Sequence, residues 1–564
     1  MKKRLTFFTC LAICIFSQLH SQDRLSGKSF STRSEVMATH GMAATSNPLA
    51  TQVAIEILKK GGSAVDAAIA ANAVLALAEP SMCGPGGDLF AIVWDNKLKK
   101  LSGLNGSGRS AMKMTLEYLR SKNYSAIPSR GALSVSVPGC VDGWFELHDK
   151  FGKLPMADLL TPAINYAREG IPVGQEIADN ANYIYLTQRD VIDRYYNFKK
   201  LYMPGGKFPL KGEIFRNPDL ANTLEKLISG GRDVFYKGDI AKSIVDHIQA
   251  QGGFLSLQDL ASHHAQWVDP VSTNYRGYDV WEMPPNGQGI AVLEILNILE
   301  GFDMASFGYG SPEHIHYFTE AKKLAYEDMA KYYGEPNGQN IPVAELISKS
   351  YAAERRKLIQ PDKAGIYEPG PVSPAHTVYL TVADKDGNMI SLIQSNAALF
   401  GSLEVPTGLG FVLHNRGASF DLTTGLINSY VPGKRPFHTI IPAFVTKNGK
   451  PWLSFGVMGG DMQPQGHVQI LLDLIDFKMS LQEAGDAPRI NHLGTLPVRG
   501  HVSNPGVIQL ESGFSYETIR SLMLMGHQVQ YGYGIYGGYQ AIMVDGNVYH
   551  GASDPRKDGQ AAGY

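Results

Sequence analysis

With 564 residues, 44 % of them hydrophobic, the chain can bury a large core, and length alone allows about two to four domains. Lysine and arginine number 51 against 53 acidic residues, so overall charge excludes any general electrostatic case for nucleic acid or an anionic membrane. The four cysteines are too few for a disulfide framework and are not spaced as metal ligands.

Residues 1–21 read as a secretory signal: Lys2-Lys3-Arg4, an apolar run from Leu5 to Phe16, then a polar segment ending at Ser21, after which the cut is expected. The apolar run is too short to span a bilayer. Its removal takes Cys10 and Cys14 with it and leaves Cys83 and Cys140, whose pairing the sequence leaves open. The mature protein is therefore expected to be exported, periplasmic or secreted, with no membrane attachment. Apolar residues at helical spacing predict a helix over 49–60, ended by Gly61-Gly62. Ser63 then opens an alanine-rich core helix over 64–77, with Asp66 completing a capping pair. Gly84-Pro85-Gly86-Gly87-Asp88 lacks the lysine and spacing of a P-loop and reads as a tight turn into a strand over 89–94. Gly106-Ser107-Gly108-Arg109 puts a guanidinium, whose planar donors suit a carboxylate, in a loop. Helices are predicted over 143–151, 157–169, 220–227, 240–251, 290–300 and 312–333.

Tyr367 to Ala375 carries Pro369, Gly370, Pro371 and Pro374, which exclude a helix or a central strand and predict an exposed linker. Two runs rich in β-branched and aromatic residues, 376–383 and 389–395, then flank Asp384-Lys385-Asp386-Gly387-Asn388, the pattern of an antiparallel hairpin. Pairing symmetric about Asp386 sets Thr377 opposite Ser395, hydroxyl facing hydroxyl. A cut between His376 and Thr377 would leave Thr377 with a free α-amine able to take the proton from its own hydroxyl, which makes Thr377 a candidate nucleophile. Further strands are predicted over 408–415, 443–446 and 452–456, with a turn at Arg416-Gly417-Ala418-Ser419. Gly459-Gly460-Asp461 ends a strand and runs into a helix over 465–477; the exposed N–H groups of the two glycines could hold a developing oxyanion. Late strands are predicted over 529–532 and 541–549. Strands and long helices on both sides of the linker imply α with β in layers.

Together these residues resemble the γ-glutamyltranspeptidase (glutathione hydrolase) family of N-terminal nucleophile hydrolases. The likeness runs through Gly61-Gly62-Ser63-Ala64-Val65-Asp66-Ala67-Ala68, Gly84-Pro85-Gly86-Gly87-Asp88 and Asn297-Ile298-Leu299-Glu300-Gly301-Phe302-Asp303. It continues through Glu320-Ala321-Lys322-Lys323-Leu324-Ala325-Tyr326, Asp384-Lys385-Asp386-Gly387-Asn388, Gly459-Gly460 and Ala487-Pro488-Arg489. Gln394-Ser395-Asn396 and Arg435-Pro436-Phe437-His438-Thr439 look like the cephalosporin acylase-like branch. The resemblance implies an α+β fold, a four-layer αββα sandwich forming one composite domain from two self-cleaved subunits, 22–376 and 377–564. It implies cleavage between His376 and Thr377, Thr377 as nucleophile, Ser395 orienting it, and Gly459 and Gly460 as oxyanion donors. It implies no metal or organic cofactor.

The implied reaction is hydrolysis or transfer of a γ-glutamyl or related acyl group from a small-molecule amide through an acyl-enzyme. The family's asparagine, glutamine and aspartate for the α-amino end are matched here by Ala397, Arg416 and Ser419. Its two carboxylate-binding serines are matched by His438 and Thr439, its clamping arginine by Ser107 or Arg109, and its covering loop is short between Phe420 and Lys434. Loss of the acid, where Ser419 stands, and gain of Arg416 suit an acyl group with an extra carboxylate or no amine, such as glutaryl. The alternatives are therefore a glutaryl or cephalosporin-type acylase and, in a different class, a catalytically inert binding protein.

Overall fold

In the computed structural model, residues 30–336, 338, 340–367, 376–494, 505–532 and 536–564 are described; the expected signal and the linker at 368–375 lie outside them. Alternation of side chains along the strands builds two sheets that share one buried layer. Fourteen strands carry them: β1 (Val36–Ala38), β2 (Met42–Thr45), β3 (Asp88–Asp95), β4 (Lys100–Asn105), β5 (Gln266–Val268), β6 (Val271–Tyr275), β7 (Tyr278–Glu282), β8 (His376–Ala383), β9 (Met389–Ala397), β10 (Ala443–Lys447), β11 (Lys450–Met458), β12 (Gly538–Asp545), β13 (Val548–Ser553) and β14 (Gln560–Gly563). One seven-stranded sheet runs β1-β13-β12-β11-β10-β7-β6, the other β14-β2-β8-β9-β3-β4-β5.

In β8, Val378, Leu380 and Val382 join a core under the helices, while Tyr379 and Ala383 join Phe90, Ile92, Phe444, Met458 and Ile542 between the sheets. Thr381 Oγ1 meets Ser454 Oγ across that layer at 2.7 Å. Outside one sheet lie α1 (Pro48–Lys59), α2 (Ala64–Ala78), α3 (Cys140–Phe151), α4 (Met156–Glu169) and α5 (Pro218–Tyr236). Outside the other lie α6 (Ile290–Leu299), α7 (Pro312–Tyr332) and α8 (Met462–Ile475). Three cores separating four layers make the αββα sandwich of the N-terminal nucleophile hydrolases.

The capping box opening α2 is complete: Ser63 N–H donates to Asp66 Oδ2 at 2.8 Å and Asp66 N–H to Ser63 Oγ at 3.0 Å. All of α2 is buried, as its alanines require. Chain before and after residue 376 alternates within both sheets, since β8 pairs with β2, β9 with β3, β10 with β7 and β13 with β1. Two expectations are corrected. Residues 408–415 form no strand: Leu413 N–H donates to Glu404 O and His414 N–H to Gly86 O, and Gly408 and Gly410 take positive φ, so the segment is held by loops. Residues 541–549 are two strands, β12 and β13, because the chain reverses at Asp545-Gly546, with Gly546 at φ 58°. Cys83 and Cys140 are free and buried. Among the described residues, no helix is long and apolar enough to cross a membrane.

Candidate active site

The β8–β9 hairpin closes over Asp384–Asn388 with the register expected from sequence: Val378 faces Gln394, Tyr379 faces Ile393, and so on to Ala383 and Met389, symmetric about Asp386. At the open end the register slips, and His376 pairs with Ala397. The extra residue of this bulge lies in β9, where Ser395 and Asn396 together stand opposite Thr377. Thr377 is 1 % exposed, and Gln463 Nε2 donates to its Oγ1 at 3.4 Å.

Ser395 Oγ, near the end of β9, accepts the N–H of Ala397 at 2.8 Å and lies 3.4 Å from Arg416 Nη2. Arg416 belongs to a single turn, Arg416–Ser419, and is buried; its Nη1 donates to Thr439 Oγ1 at 2.9 Å. Burial pulls the guanidinium down to about 10, with Asp88 and Asp461 acting in the opposite sense. Asp88, first residue of β3, is its counter-charge. Burial drives the Asp88 carboxyl up, but His414, the hydrogen bond and charge of His438, and Arg416 outweigh that and hold it at about 2.

His438 Nε2 lies 2.8 Å from Asp88 Oδ2, and its Nδ1 accepts the N–H of Ile440 at 3.4 Å, so the ring is neutral with its proton on Nε2. Burial, with Arg416 nearby, keeps it neutral down to about 3. The glycines before Asp88 permit this packing: a Cβ on Gly86 would overlap the Val412 carbonyl, and one on Gly87 would press on the Ser395 carbonyl.

Across the layer, β11 is followed by Gly459 and Gly460, at φ 121° and 62°. Among the described residues, no acceptor takes the N–H of either glycine. Gln288 pins this turn: its Nε2 donates to Gly460 O at 2.9 Å and to Thr439 O at 2.6 Å. Asp461 follows; burial raises its carboxyl to about 7, against the pull of Lys322 and Arg416. Lys322 on α7 is buried and lowered to about 7, with Asp461 raising it and Lys323 lowering it further. Its Nζ lies 3.9 Å over the Tyr326 ring.

The structure thus pairs Thr377 with Gln463 and, separately, gathers Ser395 and Thr439 around Arg416. His438 joins through Asp88, with both ring nitrogens engaged. Arg109 turns elsewhere: it is 41 % exposed, paired with Glu335 at 2.8 Å and donating to Gly433 O at 3.0 Å. Ser107 Oγ donates to Asn105 Oδ1 at 2.7 Å. The Ser419 carbonyl accepts from Asn428 at 2.6 Å. Ala397 takes φ 70°, a conformation β-carbon-bearing residues seldom adopt. Sequence reasoning passed over Asp88, Gln288, Asp461 and Gln463; the recurrence of Gly-Gly-Asp at 86–88 and 459–461 was the available signal.

One group of metal-ligating side chains occurs among the described residues: His316, Glu320 and His527, with donor atoms within 4.8 Å of one another. Lys323 Nζ lies against Glu320 Oε1, at the place a cation would need. His316 Nδ1 meets His527 Nε2 at 2.8 Å, and Glu320 Oε2 accepts from Gly365 N–H at 2.9 Å and Tyr367 Oη at 3.0 Å. These partners make the group a polar cluster that ties the chain ahead of the linker to α7.

A profile of the gamma-glutamyltranspeptidase family matches residues 50–564. The chain belongs to the gamma-glutamyltranspeptidase family. Within it, a glutathione hydrolase-like YwrD proenzyme of Bacillus subtilis (strain 168) is 37 % identical over 94 % of this chain and 99 % of its own. The acylase ACY 1 proenzyme of Pseudomonas sp. (strain SE83) is 34 % identical over 92 % of this chain and 93 % of its own. The crystal structure of cephalosporin acylase from Bacillus halodurans superposes with a TM-score of 0.89 at 41 % identity, covering 97 % of this chain and 98 % of that one. The family is one of hydrolases, and these relatives carry names of both its glutathione hydrolases and its acylases.

Proposed function

We propose that this chain is an exported, self-processing threonine amidohydrolase that cleaves amides of acyl groups bearing a distal carboxylate, with glutaryl-type groups preferred. In the first reaction Thr377 Oγ1 attacks the carbonyl carbon of His376, the Thr377 amide nitrogen leaves as a free amine, and water hydrolyses the resulting ester. The products are 22–376 and 377–564, held together by strands that interleave in both sheets. The register shift opposite Thr377 supports this step, because it interrupts the regular ladder beside the bond to be cut.

In turnover the freed amine, with an ordinary pKa near 8, takes the hydroxyl proton. Oγ1 attacks the substrate amide carbon, the N–H groups of Gly459 and Gly460 hold the oxyanion, and the leaving amine is protonated. Water or an acceptor amine then releases the acyl group from the ester.

The observation that carries the substrate reading is Arg416: a buried guanidinium bonded to Ser395 and Thr439 offers a carboxylate a charged partner beside the nucleophile. A second reading, a γ-glutamyl group, is favoured by Asp461, an acid behind the glycine turn that can meet an α-ammonium when ionised. Release of the amine from a glutaryl anilide and from its γ-glutamyl analogue separates the two, glutaryl being expected to give the higher kcat/KM. N-terminal sequencing of the shorter fragment is expected to begin at Thr377. Active material that runs as one uncut polypeptide on a denaturing gel would refute the mechanism.

A further inference from the structure

We propose that Gln463 is a catalytic donor: its amide N–H holds Oγ1 of Thr377 and stabilises the negative charge that develops there during self-cleavage and during acyl transfer. The proposal rests on Thr377 being the nucleophile. Gln463 lies in the first turn of α8 and is fully buried. Its Oε1 accepts the N–H of Ile441 at 3.0 Å. That bond settles which end of the amide faces which way, since a carbonyl oxygen must meet the Ile441 donor and the NH2 must therefore face Thr377.

The 3.4 Å separation from Oγ1 is long for a neutral hydroxyl, and such contacts shorten when the oxygen gains charge. A donor aimed at the attacking oxygen in a water-poor layer favours the alkoxide over the hydroxyl. It also occupies one lone pair of Oγ1, so the hydroxyl proton points away from Gln463, leaving it for the amine of the same residue.

The donor is held rigidly. Gln463 N–H donates to Gly460 O at 3.1 Å, and that carbonyl also takes Gln288 Nε2 at 2.9 Å. The glycine turn and Gln463 are therefore held as one piece. A glutamine serving only to brace the 438–441 segment would need the Ile441 bond and not the one to Thr377.

Gln463→Glu and Gln463→Met test the assignment in the full chain. At pH 8 the carboxylate introduced by Gln463→Glu can accept from Ile441 but cannot donate to Oγ1, and the thioether introduced by Gln463→Met cannot donate either. Both substitutions are expected to lower kcat about 10- to 100-fold with KM within about threefold, and to slow cutting at His376–Thr377 by a similar factor. As the pH falls, the ratio of Gln463→Glu to wild-type rate should climb, because the protonated carboxyl regains an O–H donor, whereas the ratio for Gln463→Met should stay flat. Where a variant stays uncut, the half-time of cutting is read across the same pH range instead; if Gln463→Met does not fold, the pH response of Gln463→Glu alone decides. Rates within about twofold of wild type, or a loss in Gln463→Glu that does not vary with pH, would overturn the assignment. A wild-type chain that is active without being cut at Thr377 would instead overturn the reading of the nucleophile.

Discussion

Replacing Arg416 by methionine tests whether its buried charge is kept for substrate rather than for stability. Burial lowers its pKa to about 10, roughly 2.5 below an ordinary arginine. At ~1.4 kcal/mol per pKa unit this burial costs the folded protein about 3 kcal/mol. A cation whose folded pKa is lowered carries that cost fully below the folded value and sheds it as the pH rises beyond, so at pH 7 all of it is present. The substitution also removes the bonds to Thr439 and Ser395, about 1 kcal/mol each. From these two figures alone the expected balance is a variant as stable as wild type or about 1 kcal/mol more stable.

Activity should move the other way. Losing a charge-assisted bond to a substrate carboxylate costs about 2–4 kcal/mol, or about 30- to 1,000-fold in kcat/KM toward the glutaryl anilide. Stability is read by urea unfolding in a Thr377→Ala background, where the chain stays in one piece, and activity by anilide release from the processed enzyme. A loss of more than ~2 kcal/mol would show that the guanidinium is a net stabiliser. An unchanged preference between glutaryl and γ-glutamyl anilides would remove Arg416 from the pocket.

The Thr377→Ala substitution itself should abolish both cutting and turnover, leaving one full-length band and no anilide release. Splitting at residue 376 in that variant would refute the role of the hydroxyl. Asp88→Asn should cost about 2–3 kcal/mol at pH 7, because the Asp88 carboxyl is held at about 2 by His414, His438 and Arg416 despite its burial. A lowered carboxyl pKa stabilises above the unfolded value and loses that contribution as the pH falls, so the gap between wild type and variant in urea unfolding should narrow below pH 4 and close near pH 2. A gap that persists at low pH would mean that the hydrogen bonds from Gly108 and Gly139 to Asp88, rather than its charge, set the cost.

What could be read from the chain was what short stretches decide. The capping box from Ser63 to Asp66 spans four residues, and the register symmetric about Asp386 follows from a turn and two alternating runs. Glycines 84, 86 and 87 announced a tight turn without naming what packs against it. Where a pattern could be met in two ways the reading failed: the apolar run at 408–415 is buried by loops instead of a ladder, and Asp545-Gly546 splits what looked like one strand.

Folding alone decided the partners. Asp88 meets His438 350 positions away, Arg109 is drawn to Glu335 226 positions away, and Gln463 reaches Thr377 across 86. Nothing near these residues in the chain encodes those contacts, because periodicity tells a residue that it is buried but not against what. The pattern of side chains determined that Thr377 would open a buried strand. Only the packing of one sheet on the other, which excludes water and forces each buried charge to find a partner, decided that a glutamine would reach its hydroxyl and that a guanidinium would settle on Ser395 and Thr439.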